Sequence, residues 1–126
     1  MGTVFTFDIR PPGVDRCAIE QAVRWLHQVD AMFSTYKADS PISRLARGEL
    51  SVRNIPPEVQ AVLQRCRELQ DETGGFFSAY AGGQLDPSGY VKGWAIERAS
   101  DILVAAGSIN HSVNGGGDVQ CVGESA

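Results

Sequence analysis

The sequence predicts an α+β domain in which helices pack on a mixed or antiparallel sheet. Three observations carry this. Thr3 to Ile9 alternates between apolar and polar residues. Three later stretches place apolar residues at helical spacing. Two short alternating runs then close the chain around a glycine turn. At 126 residues the chain is expected to form a single domain over residues 1–126. A chain of this size buries roughly two-thirds of its unfolded surface, enough for a core without staples. No internal repeat or linker is visible.

In the first strand Phe5, Phe7 and Ile9 share one face, and Thr6 and Asp8 share the other. Pro11-Pro12-Gly13 ends it, and Asp15 offers a helix cap. Ile19, Val23, Leu26, Val29 and Phe33 follow as the stripe of an amphipathic helix. Ser40-Pro41 places a capping hydroxyl before a first-turn proline, opening a short helix through Ile42 and Leu45 that stops at Gly48. Leu50 to Arg53 reads as a brief strand. Pro56-Pro57-Glu58 opens a helix with the stripe Val59, Val62, Leu63, Cys66 and Leu69, ended by Thr73-Gly74-Gly75. A segment rich in glycine and aromatics runs to Gly89. The next helix is expected over 94–106, with Trp94, Ile96, Ala99, Ile102 and Leu103 as its apolar positions. Ile109, His111 and Val113 alternate as a strand, and Val119 to Val122 starts another.

Apolar residues make up 43% and charged residues 21% of the chain, which is globular composition. The net charge of −4 and the lack of a basic stripe argue against a broad nucleic-acid or anionic-membrane surface. Three widely spaced cysteines without a CxxC suit free thiols in a reducing compartment. No apolar run is long enough to span a membrane, and the opening residues read as a strand, not a signal peptide. The chain as written is therefore expected to be cytoplasmic.

Four places could carry chemistry. Leu85 to Gly93 lies just before the 94–106 helix, where free N–H groups and Lys92, with Asp86 nearby, would suit a phosphate. Solvated side chains in an Asp turn are the other reading. Asn114 to Asp118 holds three glycines, which permit close approach by a ligand or make a simple hairpin turn. Phe76, Phe77 and Tyr80 could sandwich a flat heterocycle or cover a helix end. Tyr36, in the loop after the long helix, could bond a ligand or pack on its own loop. Neither GxGxxG nor a Walker loop occurs. His27 is expected to face solvent, His111 to be a hydrogen-bonded core residue, and Trp25 and Trp94 to be packing residues.

Taken in order, these segments resemble the FAD:protein FMN transferases, the ApbE family. The resemblance rests on Met1-Gly2-Thr3, on Ser34-Thr35-Tyr36 with Ser40 and Leu45, and on Thr73-Gly74-Gly75-Phe76-Phe77. It continues through Leu85-Asp86, Lys92-Gly93-Trp94-Ala95 and Gly116-Gly117-Asp118. The stretch Asp86-Pro87-Ser88-Gly89-Tyr90-Val91-Lys92-Gly93-Trp94-Ala95 is the most specific. The chain especially resembles compact actinobacterial-type members, and the match runs over essentially all of it but only about the N-terminal half of a usual member.

The resemblance implies a T-fold-like partial domain. It implies FAD as substrate, Mg²⁺ as cofactor, and transfer of FMN to a Thr or Ser hydroxyl of a target flavoprotein with release of AMP. By matched position Met1, Tyr36, Phe76, Phe77, Ser78, Asp86 and Lys92 would touch FAD, and the Gly89 carbonyl would be a Mg²⁺ ligand. The chain departs from the pattern in four ways. It ends before the family's later half, which supplies the remaining metal ligands. Ser78 stands where Asp is common, Pro87 stands where Leu is common, and Met1 opens the chain. It is therefore expected to be a shortened form that folds and associates with itself, one copy covering what the later half would cover. A non-catalytic flavin or nucleotide binder and a ligand-free structural half-domain are the alternatives.

Overall fold

The computed structural model describes residues 4–34, 37–75, 87–116 and 118–123. In chain order these form strand β1 (Phe5–Ile9), helix α1 (Arg16–Phe33), short helix α2 (Pro41–Ala46) and a 3-10 turn at Val52–Asn54. Helix α3 (Pro57–Glu72), helix α4 (Ser88–Ala105) and strands β2 (His111–Gly115) and β3 (Asp118–Val122) follow. The α+β class is as expected. The described sheet is wholly antiparallel, in the order β1-β2-β3.

The chain divides into two compact units. One is built on Val29–Val91; Gly2–Gln28 and Lys92–Ala126 build the other. In the second unit Phe5, Phe7 and Ile9 pair with Gly115, Val113 and His111, which pair in turn with Asp118, Gln120 and Val122. Strand side chains alternate between faces, so these three rows share one face of the sheet. His111, Val113 and Gly115 on it are buried, while Asn114 on the opposite face is exposed. Ile109, expected on the same strand, precedes it and is exposed. Strand β2 begins where backbone pairing with β1 begins, and Ile109 lies before the first pair.

Helix α4 packs on that face. A methyl group built at Gly115 would lie 2.5 Å from the Phe5 ring and 3.0 Å from Ile96. Absence of a side chain there lets strand, ring and helix close together. Gly115→Ala is expected to cost about 1–3 kcal/mol by overpacking, read as a lower urea midpoint. An unchanged midpoint would show that the Phe5 ring swings aside freely. The indole N–H of Trp25 on α1 donates to the Ala95 carbonyl of α4 at 3.1 Å, and Trp25 meets Trp94 edge-to-face at 5.2 Å. Both tryptophans are packing residues, as expected.

Helix α1 buries Ala18, Ala22, Leu26, Val29 and Phe33, whereas Val23, read as part of the stripe, is exposed. The small alanines at i and i+4 carry the inward face, and Val23 falls about 100° away from Ala22 around the helix. In the unit built on Val29–Val91, Ser40 caps α2 as predicted. Its hydroxyl accepts from the Ser43 amide at 3.2 Å, and Pro41 occupies the first turn. The strand expected over Leu50 to Arg53 is instead loop and the 3-10 turn. A run this short becomes a strand only beside a partner edge, and the three described strands pair only with one another.

Helix α3 buries Val59, Val62 and Cys66, and ends at Gly74 and Gly75, both at positive φ. Burial pushes the Cys66 thiol up to about 11, so it is protonated and inert as a nucleophile near neutrality. All three cysteines are free. Among the described residues no helix is long and apolar enough to cross a membrane.

Candidate functional site

Lys92 stands in the second turn of α4. Its ammonium lies 3.3 Å from the Gly116 carbonyl oxygen and 3.5 Å from an Asp118 carboxylate oxygen. The glycine turn between β2 and β3 is therefore both a hairpin and the place where this cation docks. Gly116 sits at φ +56°, a conformation glycine adopts without steric cost. Gly115 and Asp118 close the hairpin as a paired row. Asp118 shares its face with Val113 and Gln120, the face α4 covers, and this turns its carboxylate toward Lys92. An ammonium carries three donors. Among the described residues one donates to the Gly116 carbonyl and the charge is ion-paired with Asp118, so donor capacity remains for a ligand at the turn. The Lys92 side chain is 31% exposed, so the charge is open to an incoming anion.

One expectation about this lysine is corrected. The helix begins at Ser88, not at residue 94, so Lys92 does not stand among the free amides of its first turn. The Tyr90 and Val91 amides already donate to the Pro87 carbonyl at 2.9 and 3.0 Å. Gly89 and Gly93 make the stretch look like a loop, because glycine has low helix propensity. Burial of Pro87 and Val91 holds the turn in helix nonetheless.

Gly89, read as a Mg²⁺ ligand through its carbonyl, lies in the first turn of α4. One carbonyl does not make a Mg²⁺ centre, since that ion takes near-octahedral oxygen coordination. Among the described residues no three His, Cys, Asp or Glu side chains gather to hold a metal. The described residues alone thus do not fit the ion. Met1, Tyr36, Phe76, Phe77, Ser78 and Asp86 lie outside the described residues. The described residues on either side of Tyr36 are hydrogen-bonded. The Ser34 carbonyl accepts from the Ser40 hydroxyl at 2.7 Å and the Ser43 hydroxyl at 3.2 Å. On the other side Lys37 pairs with Asp30 at 2.7 Å and holds that carboxyl below its usual range.

His111 is buried between two serines. Its ring nitrogens lie 2.7 Å from the hydroxyls of Ser100 on α4 and Ser108. It is the core histidine expected, and His27 is exposed. The serine partners were not legible in sequence. The only signal was Ser100 falling between Ala99 and Leu103 on the apolar face of α4. A groove of about 500 Å³ lined by Gln21, Trp25, Arg98, Asp101 and Ile102 contains none of the candidate positions.

A family model described as the ApbE family matches residues 1–84 and 78–126. The chain belongs to the ApbE family. Its fold is similar to the flavin transferase ApbE from Vibrio cholerae, with a TM-score of 0.86 at 19% identity, over 99% of this chain and 57% of that one. It is also similar to the flavinyl transferase ApbE of Pseudomonas stutzeri in its apo form. There the TM-score is 0.75 at 15% identity, over 97% of this chain and 58% of that one. This ApbE-family chain thus spans somewhat under three-fifths of the length of these two solved relatives. No curated protein matches it.

Proposed function

We propose that this chain is the FAD-holding portion of an FAD:protein FMN transferase. In the proposed reaction a Thr or Ser hydroxyl of a target flavoprotein attacks the FMN phosphorus of FAD. One P–O bond forms to the acceptor and the P–O bond to AMP breaks. AMP leaves, and the hydroxyl proton passes to solvent. The single supporting observation is Lys92, a part-exposed ammonium docked at the glycine turn with a donor to spare. It would bind the diphosphate and offset charge gathering on the leaving phosphate. Met1, Tyr36, Phe76, Phe77, Ser78 and Asp86 are proposed to complete the FAD contacts by matched position. Mg²⁺, which the resemblance implies with the Gly89 carbonyl as one ligand, would supply Lewis acidity if residues outside the described ones completed its coordination.

The test is direct. The chain is mixed with FAD and a Thr-bearing acceptor flavoprotein, with and without Mg²⁺, and AMP is measured beside covalent flavin on the acceptor. Equal amounts of both, only with Mg²⁺, are expected. FAD retention without AMP would assign the chain to flavin binding alone. No flavin bound at saturating FAD would refute the reading.

Self-association is proposed as well. Among the described strands β1 and β3 each have one neighbour, and open edges seek partners. Val4 beside β1 is 81% exposed and Val119 on β3 is 52% exposed. Light scattering is expected to show a dimer or larger species; a monomer at working concentration would remove this proposal.

A further inference from the structure

We propose that Asp118 is a positioning residue for Lys92, holding the ammonium so that its remaining N–H points toward a bound diphosphate. This rests on the reading of Lys92 as the cation that meets FAD. Lysine is a flexible stem carrying a point charge, and ordering it on binding costs rotamer freedom. Here the ammonium already donates to the Gly116 carbonyl at 3.3 Å and is ion-paired with the Asp118 carboxylate at 3.5 Å, both from one hairpin. Backbone geometry places both groups. Gly116 sits in the left-handed region, and the Asp118 backbone pairs in the sheet opposite Gly115.

The pair is too exposed to matter much for stability, since open ion pairs contribute little. The carboxylate must also offset its own repulsion of a phosphate, and half of its side chain is open to solvent, which screens that repulsion. Presetting the ammonium is the use that remains. Asp118 is separated from Lys92 by most of α4 and all of β2, so only the folded chain brings the two together.

The experiment is a double-mutant cycle on FAD binding by the full chain, followed by flavin fluorescence. Asp118→Asn is expected to weaken FAD binding about threefold to tenfold, the range for one newly disordered long side chain. Asp118→Glu is expected to recover part of the loss. In a Lys92→Ala background Asp118→Asn should change nothing further. Asp118→Ala serves as a second variant and should follow Asp118→Asn. Tighter binding by Asp118→Asn would overturn the inference, because the carboxylate would then be a competitor for the ammonium. Equal losses with and without Lys92 would also overturn it, because Asp118 would then act only through the turn. If Lys92→Ala alone leaves FAD affinity unchanged, the reading of Lys92 fails first and the inference falls with it.

Discussion

Replacing Lys92 with alanine is expected to weaken FAD binding by about 1–2 kcal/mol, roughly fivefold to thirtyfold. A charge-assisted contact to a phosphate is among the stronger hydrogen bonds, but the side chain is 31% exposed. Solvent and salt therefore hold the loss to the lower part of that range. The dependence on salt is part of the prediction. Wild-type affinity should fall as ionic strength rises, and the Lys92→Ala protein should respond less. Riboflavin, which has no phosphate, should bind both proteins alike. Titration by flavin fluorescence reads all three quantities. An affinity indifferent to the substitution would take Lys92 out of the site.

His111→Ala is expected to destabilise the fold by about 2–4 kcal/mol, through a cavity and two orphaned hydroxyls. The imidazole is 3% exposed and touches Ser100 and Ser108, themselves 2% and 3% exposed. Truncation strips both hydroxyls of their partner in a place water does not reach. Urea unfolding should show a lower midpoint at unchanged slope. An equal midpoint at pH 7 would mean that the serines find other partners.

The same histidine shapes the pH response. Burial holds its pKa below the ordinary value of 6.5. Between the lowered folded value and 6.5 the unfolded chain binds more protons than the folded one, so stability falls as pH falls through that window. Above 6.5 the imidazole is neutral in both states and its contribution is complete. Below the folded value both states are protonated and the loss levels off. The His111→Ala protein should lack this component of the acid response.

Periodicity made the helices readable. Spacing alone marks α1 and α3, and Ser40-Pro41 marks the start of α2, because capping and amphipathicity are local. Which side of α1 turns inward was less readable. Alanine at 18 and 22 carries a weak hydrophobic signal, yet both are buried while Val23 is exposed. The brief strand expected at Leu50 to Arg53 failed for a related reason, since a strand exists only through a neighbour. The early start of α4 was hidden by Gly89 and Gly93, whose poor propensity is overridden by burial on either side.

For the site, residue order alone pointed to the family and to Lys92 as its cation, because a motif is a pattern along the chain. What Lys92 touches was decided elsewhere. Gly116 lies 24 residues away, and no local rule links the second turn of a helix to a hairpin that follows it. That link requires the pairing of β2 with β1, the bare backbone of Gly115 against Phe5 and Ile96, and the alternation that sends Asp118 to the helix side. These are relations between distant segments, made by packing and hydrogen-bond register, and a linear reading has no access to either.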